Sequence, residues 1–137
     1  MTKIFPHVCC LQLEILLGKV RVNLNGFRKA LAAEHFAENT LVVLPELWAT
    51  GFDYSNCSSL AKQTPEILAE LEQLAAINNL WFAGSLLEKS STEKPYNTLF
   101  LVGPNGLAGT YRKQHLFRYW QEDKYLRSGK TSTPNRT

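Results

Sequence analysis

Four apolar residues in a row, LVVL at 41–44, are followed at once by Pro45 and Glu46. A run this short, closed by a proline that cannot donate to a sheet ladder, reads as a strand buried on both faces. Such a strand needs structure packed above and below it, which restricts the chain to layered architectures of helices on a sheet. The flanking sequence agrees. Residues 8–15 (VCCLQLEI) predict a first strand, apolar on both faces and therefore central. The period then changes: Val20, Leu24, Phe27 and Leu31 recur at helical spacing, with Arg21, Arg28, Lys29 and Glu34 elsewhere on the wheel. A helix over 20–37 follows, with Gly26 as a weak point inside it.

After the 41–44 strand, residues 53–63 read as a polar loop. Thr64–Pro65–Glu66 is a helix start, with the Thr64 hydroxyl as N-cap, and Ile67, Leu68, Leu71, Leu74 and Ala75 form the apolar stripe that runs to Asn78–Asn79. Residues 80–87 predict a third strand, and 97–102 and 107–113 a hairpin across Pro104–Asn105–Gly106, with Asn97 read as a turn residue ahead of it. Strand–helix–strand–helix–strand and then a hairpin means α/β with one open mixed sheet. Residues 117–127 are aromatic and charged without a period, and the polar segment 130–137 is expected to be a disordered tail.

A chain of 137 residues accommodates one domain. Its 15 basic and 12 acidic residues leave only +3, scattered along the chain, which argues against nucleic acid as a partner. The three cysteines are an odd number, and Cys9 and Cys10 are neighbours that point to opposite faces of a strand, so reduced thiols are expected. No His or Cys spacing predicts a metal site. The start of the chain, broken by His7, Gln12 and Glu14, does not read as a signal peptide, and no run is long enough for a membrane span; the expected compartment is the cytoplasm.

Two charges stand at strand ends. Glu46 leaves a buried strand beside Trp48, Gly51 and Phe52. A carboxylate fixed there is well placed for general-base work, although a strand-end glutamate can equally open a solvated loop. Trp48 and Phe52 read as a pocket wall or as core aromatics. Lys113 closes the fifth predicted strand, with His115 just beyond it as a structural or substrate-contacting group.

PELWATGF at 45–52, taken with YRKQHLF at 111–117, resembles the nitrilase, or carbon–nitrogen hydrolase, superfamily, and the resemblance covers about residues 8–129. It implies the N-terminal part of an α-β-β-α sandwich and hydrolysis of a small amide-like substrate, of the ω-amide kind, without cofactor or metal. It implies a catalytic glutamate at Glu46, a lysine at Lys113 and a supporting glutamate at Glu122, with Trp48, Phe52 and His115 as substrate-binding positions and Arg118, Tyr119 and Trp120 near a lid. The family's nucleophilic cysteine belongs to a later segment that has no counterpart in Cys9, Cys10 or Cys57. The chain is therefore expected to be a truncated domain, inactive alone, from a protein that is homo-oligomeric at full length. The alternatives are an inactive binding or oligomerisation module and an unaided hydrolase relying on Cys57. With one sheet face uncovered, the isolated chain is expected to be aggregation-prone, oligomeric or partly molten.

Overall fold

The computed structural model describes residues 5–130 and the backbone of 135–136. Six strands form one sheet: β1 (Val8–Cys10), β2 (Leu41–Val43), β3 (Trp81–Glu88), β4 (Tyr96–Gly103), β5 (Gly106–Arg112) and β6 (Asn135–Arg136), in that spatial order. β1, β2 and β3 run parallel, and each later neighbour pairs antiparallel. The parallel pairs are linked through helices α1 (Val20–Ala33) and α3 (Thr64–Asn78), with the short α2 (Cys57–Leu60) ahead of the latter. Since the sheet grows in one direction and such crossovers are right-handed, α1 and α3 share a face.

That face is the core. Val42, Phe82 and Val102, which alternate onto it, are fully buried, and Phe27 of α1 packs its ring 5.8 Å from Phe82 and 4.9 Å from Trp48. Fully burying each such side chain is worth about 1.5–3 kcal/mol, which is why the helical period registers on the sheet period at these positions. The opposite face carries Leu41, Val43, Ala83 and Leu101 half-buried, with Leu99 42% exposed. No described helix covers it. One irregularity interrupts the β4–β5 ladder: Leu101 pairs with Gly109 but Val102 with Leu107, so Ala108 is an extra residue.

The sequence reading needs several corrections. The first strand is three residues long and lies at the edge of the described sheet, with Val8 62% exposed; being apolar on two sides did not make it central. The first helix stops at Ala33, where Glu34 turns extended, rather than at residue 37. The expected loop at 53–63 is instead a chain of helical turns, Tyr54–Asn56, α2 and Ala61–Gln63, that runs directly into α3. Cys57, Leu60, Ala61 and Thr64 are its buried stripe. Thr64 consequently is not an N-cap; its hydroxyl donates to the Leu87 carbonyl and ties α3 to β3. The end of that helix is as expected, with Asn79 in the left-handed conformation.

No helix among the described residues is long and apolar enough to cross a membrane. Of the expected tail, residues 131–134 and 137 lie outside the described residues, as does the 1–4 stretch; Asn135 and Arg136 pair with Thr110 and Gly109.

Candidate active site

The strand registers place the two charges at one level of the sheet. Val43 is opposite Ala83, Leu86 opposite Thr98, and Thr98 opposite Arg112, so Glu46 and Lys113 leave β2 and β5 at the same end. Backbones three strands apart stand roughly 14 Å from each other. The chain after Pro45 must therefore turn inward over β3 for the side chains to meet, and it does. Lys113 Nζ donates to Glu46 Oε1 at 2.8 Å.

The same ammonium reaches a second acid. Glu122, the first residue of α4 (Glu122–Tyr125), places Oε1 and Oε2 at 3.1 and 3.0 Å from Nζ. Its side chain is only 1% exposed, and its Oε2 also accepts the Phe117 backbone N–H. A buried carboxylate is tolerated when it is paired and hydrogen-bonded, and both conditions hold here. Burial acts against the charge on Lys113, but the hydrogen bonds to Glu46 and Glu122 outweigh it and raise the lysine pKa above its ordinary value.

Asn97 completes the cluster. It lies within β4, is buried, and donates Nδ2 to Glu46 Oε1 at 2.7 Å, while its carbonyl accepts the Lys113 N–H. The sequence starts the predicted strand at this residue but reads the side chain as belonging to a turn. Its alternation with Leu99 and Leu101 onto one face was the signal that it belongs to the strand.

A cleft of about 410 Å³ opens beside the three charges, lined by Phe52, Tyr54, His115, Leu116, Phe117 and Trp120. Phe52 and His115 thus share this cleft with Glu46 and Lys113. Trp48 does not. It is fully buried between Phe27 and β3, where its indole closes over Gly84, at which no Cβ would fit. Position after the acid does not decide which aromatic faces the cleft; the turn at Leu47 through Thr50 sends Trp48 down and Phe52 up. Nothing in the sequence marks Tyr54 as part of the cleft. Burial, and then the Glu122 charge, push its hydroxyl up to about 12, against the opposing effect of Lys113. Trp120 packs edge-on to Phe117 at 5.3 Å and Phe52 at 6.2 Å, whereas Tyr119 points away, 84% exposed.

None of the three cysteines lines this cleft. Cys57 is buried with its thiol against the Tyr125 carbonyl, and burial raises its pKa. Cys9 and Cys10 sit in β1 at the sheet edge.

Comparisons with known proteins meet this geometry. The family model "Carbon-nitrogen hydrolase" matches residues 10–133. The chain is 32% identical over 130 residues to the 2-oxoglutaramate amidase of Bacillus subtilis (strain 168), covering 89% of this chain and 48% of that protein. It is 28% identical over 120 residues to the omega-amidase YafV of Yersinia enterocolitica, covering 88% and 45%. The chain thus spans about half the length of these curated relatives. Among solved structures, XC1258 from Xanthomonas campestris, described as a CN-hydrolase superfamily protein, superposes with a TM-score of 0.80 at 22% identity, over 90% of this chain and 46% of that one. That likeness is one of fold, α/β in both. With the family's sequence pattern running through nearly all of it, the chain belongs to the carbon–nitrogen hydrolase family.

Proposed function

We propose that the chain carries the acid–base half of an amidase that hydrolyses a small ω-amide, and that Glu46, Lys113 and Glu122 are its charged catalytic residues. The observation that supports this most directly is the single ammonium held between two carboxylates at the wall of an aromatic-lined cleft. The names of the two amidase relatives point to the same substrate class.

In this reading a cysteine thiol, supplied by none of Cys9, Cys10 and Cys57, makes the first bond to the amide carbon. Glu46 takes the thiol proton as the sulfur attacks, then passes it to the departing ammonia. Lys113, already charged and fixed, stabilises the oxyanion of the tetrahedral intermediate. Glu122 holds Lys113 from the buried side. In the second half-reaction Glu46 deprotonates a water, which attacks the thioester carbon; the carbon–sulfur bond breaks, the acid is released and Glu46 returns the proton to the departing sulfur. Phe52, Phe117 and Trp120 would enclose the apolar part of the substrate and His115 contact its polar end. Cytoplasmic location and self-assembly of the full-length protein belong to the same reading.

The test is ammonia release from a panel of small ω-amides, 2-oxoglutaramate among them, by the product of the whole gene. Glu46→Gln and Lys113→Ala are each expected to lower kcat by about 100- to 1,000-fold, the range for losing one charge-stabilising group. Near-normal rates in either variant, with the fold intact, would overturn the assignment.

A second reading is favoured by the position of the cysteines away from the cleft: a binding or oligomerisation module without turnover. No ammonia from any amide, together with mixed assemblies seen by native mass spectrometry when the chain is added to a full-length relative, would decide for it.

A further inference from the structure

The backbone immediately after Glu46 is in an unfavourable conformation. Four described non-glycine residues have positive φ: Asn39, Asn79, Gln121 and Leu47, the last at +47°. Asparagine enters this region readily because its short polar side chain bonds locally, whereas a leucine has no such compensation and needs its surroundings to hold it there. At Leu47 the surroundings do so from three sides. Its side chain is fully buried, its carbonyl accepts the N–H groups of Thr50 and Gly51 at 3.1 and 2.7 Å, and its own N–H donates to Ser85 Oγ at 2.8 Å.

Ser85 sits in β3, the strand over which Glu46 must lean to reach Lys113. It is 8% exposed and faces the side of the sheet that holds Asn97 and Leu99; with these, Glu46 and Lys113 it lines a smaller hollow of about 300 Å³. A strand residue packing in this position has no need of a hydroxyl. An alanine would fill nearly the same space but would leave the buried Leu47 N–H without an acceptor.

We propose that Ser85 is a positioning residue for Glu46: by accepting the Leu47 N–H it holds the left-handed turn that carries the carboxylate across β3 onto Lys113. Its bearing on catalysis rests on the reading of Glu46 as the base, but the geometric claim stands on the chain itself and is tested there. Three quantities are followed in the 137-residue protein: amide hydrogen exchange at Leu47, acetic anhydride acylation of Lys113 read by peptide mass spectrometry, and thiol labelling of buried Cys57. The ammonium is the unreactive form of a lysine, so loss of its Glu46 partner speeds acylation; Glu46→Gln sets the full effect.

In Ser85→Ala the Leu47 amide is expected to exchange roughly tenfold faster or more. Acylation of Lys113 should rise about three- to tenfold, approaching the Glu46→Gln value, because each unit of pKa is a tenfold change in the neutral fraction. Cys57 labelling should stay unchanged. Wild-type behaviour at Leu47 or at Lys113 overturns the proposal. So does a parallel rise at Cys57, which would mean that Ser85 only holds the fold together. Should Ser85→Ala fail to fold, Ser85→Cys decides in its place, since a thiol accepts more weakly than a hydroxyl: intermediate rates at both sites support the role, and wild-type rates end it. A failure of amide hydrolysis by the full-length protein would touch none of these readouts.

Discussion

One cation serves two acids at this site, and it and the half-buried Tyr54 beside it both bear on how the molecule answers to alkali. Lys113 has a raised pKa from its two carboxylate partners, and Tyr54 a value raised to about 12 from its ordinary 10. In both cases folding favours the protonated form. Their contribution is therefore fully present at neutral pH and is lost as the pH climbs through the unfolded and then the folded values, between about 10 and 12 for Tyr54 and from the ordinary lysine value upward for Lys113. Denaturant unfolding followed across that window should show falling stability. Tyr54→Phe should remove the part that tracks tyrosinate absorbance, and Lys113→Met the remainder; an unchanged slope in both would contradict the pairing. At this scale the sequence was partly legible. Glu46 and Lys113 stood out because strand ends and short motifs are local, whereas Glu122 carried no sharp motif and came only with the family resemblance. Asn97, Tyr54 and the fate of Trp48 were not, because each depends on which way one side chain turns once β4 and the 47–50 turn are in place.

Between residues and the whole sheet, the elements that hold the site are short and mutually braced. The segment after α4 returns along the end of β5, with the Gly129 N–H donating to the Lys113 carbonyl and the Arg127 N–H to the Pro95 carbonyl. A Cβ on Gly129 would collide with the Arg112 carbonyl. Gly129→Ala is expected to cost about 1–3 kcal/mol of stability, as forced overpacking does, measured as a lower denaturant midpoint; a midpoint equal to the wild type would mean that this return segment is free to move aside. The helices and the hairpin were readable because their periods run over many residues. The 57–64 stripe was also present at spacings of three, one and three, but polar residues between its members, Ser58, Ser59, Lys62 and Gln63, disguised a helical run as a loop. The edge position of β1 had no local sign at all, since a sheet's strand order is decided by partners far away in sequence.

Among the described residues, one face of the sheet is closed by α1 and α3 and one is left open, where Leu99 is 42% exposed among half-buried Leu41, Val43 and Leu101. Apolar area of that kind binds hydrophobic dyes. The isolated chain is expected to enhance dye fluorescence, and Leu99→Lys should reduce the signal; dye binding that is indifferent to Leu99 would place the apolar surface elsewhere. The open face is also the one from which Asn97 and Lys113 project, and here the extra residue in β5 matters as a matter of counting. Along a strand, odd and even positions face opposite sides, so every pairing carries a parity. Were Ala108 paired in the ladder instead of bulged out of it, it would sit opposite Leu101, Asn97 would meet Arg112, and each later residue of β5 would change sides. Arg112, which now salt-bridges Glu88 at 2.6 Å on the helix-covered face, would arrive at Glu46, and Lys113 would be sent to Glu88. A single-residue bulge near the far end of the hairpin thus selects which of two adjacent cations the acid receives: the compact point charge of a lysine or the planar fork of an arginine.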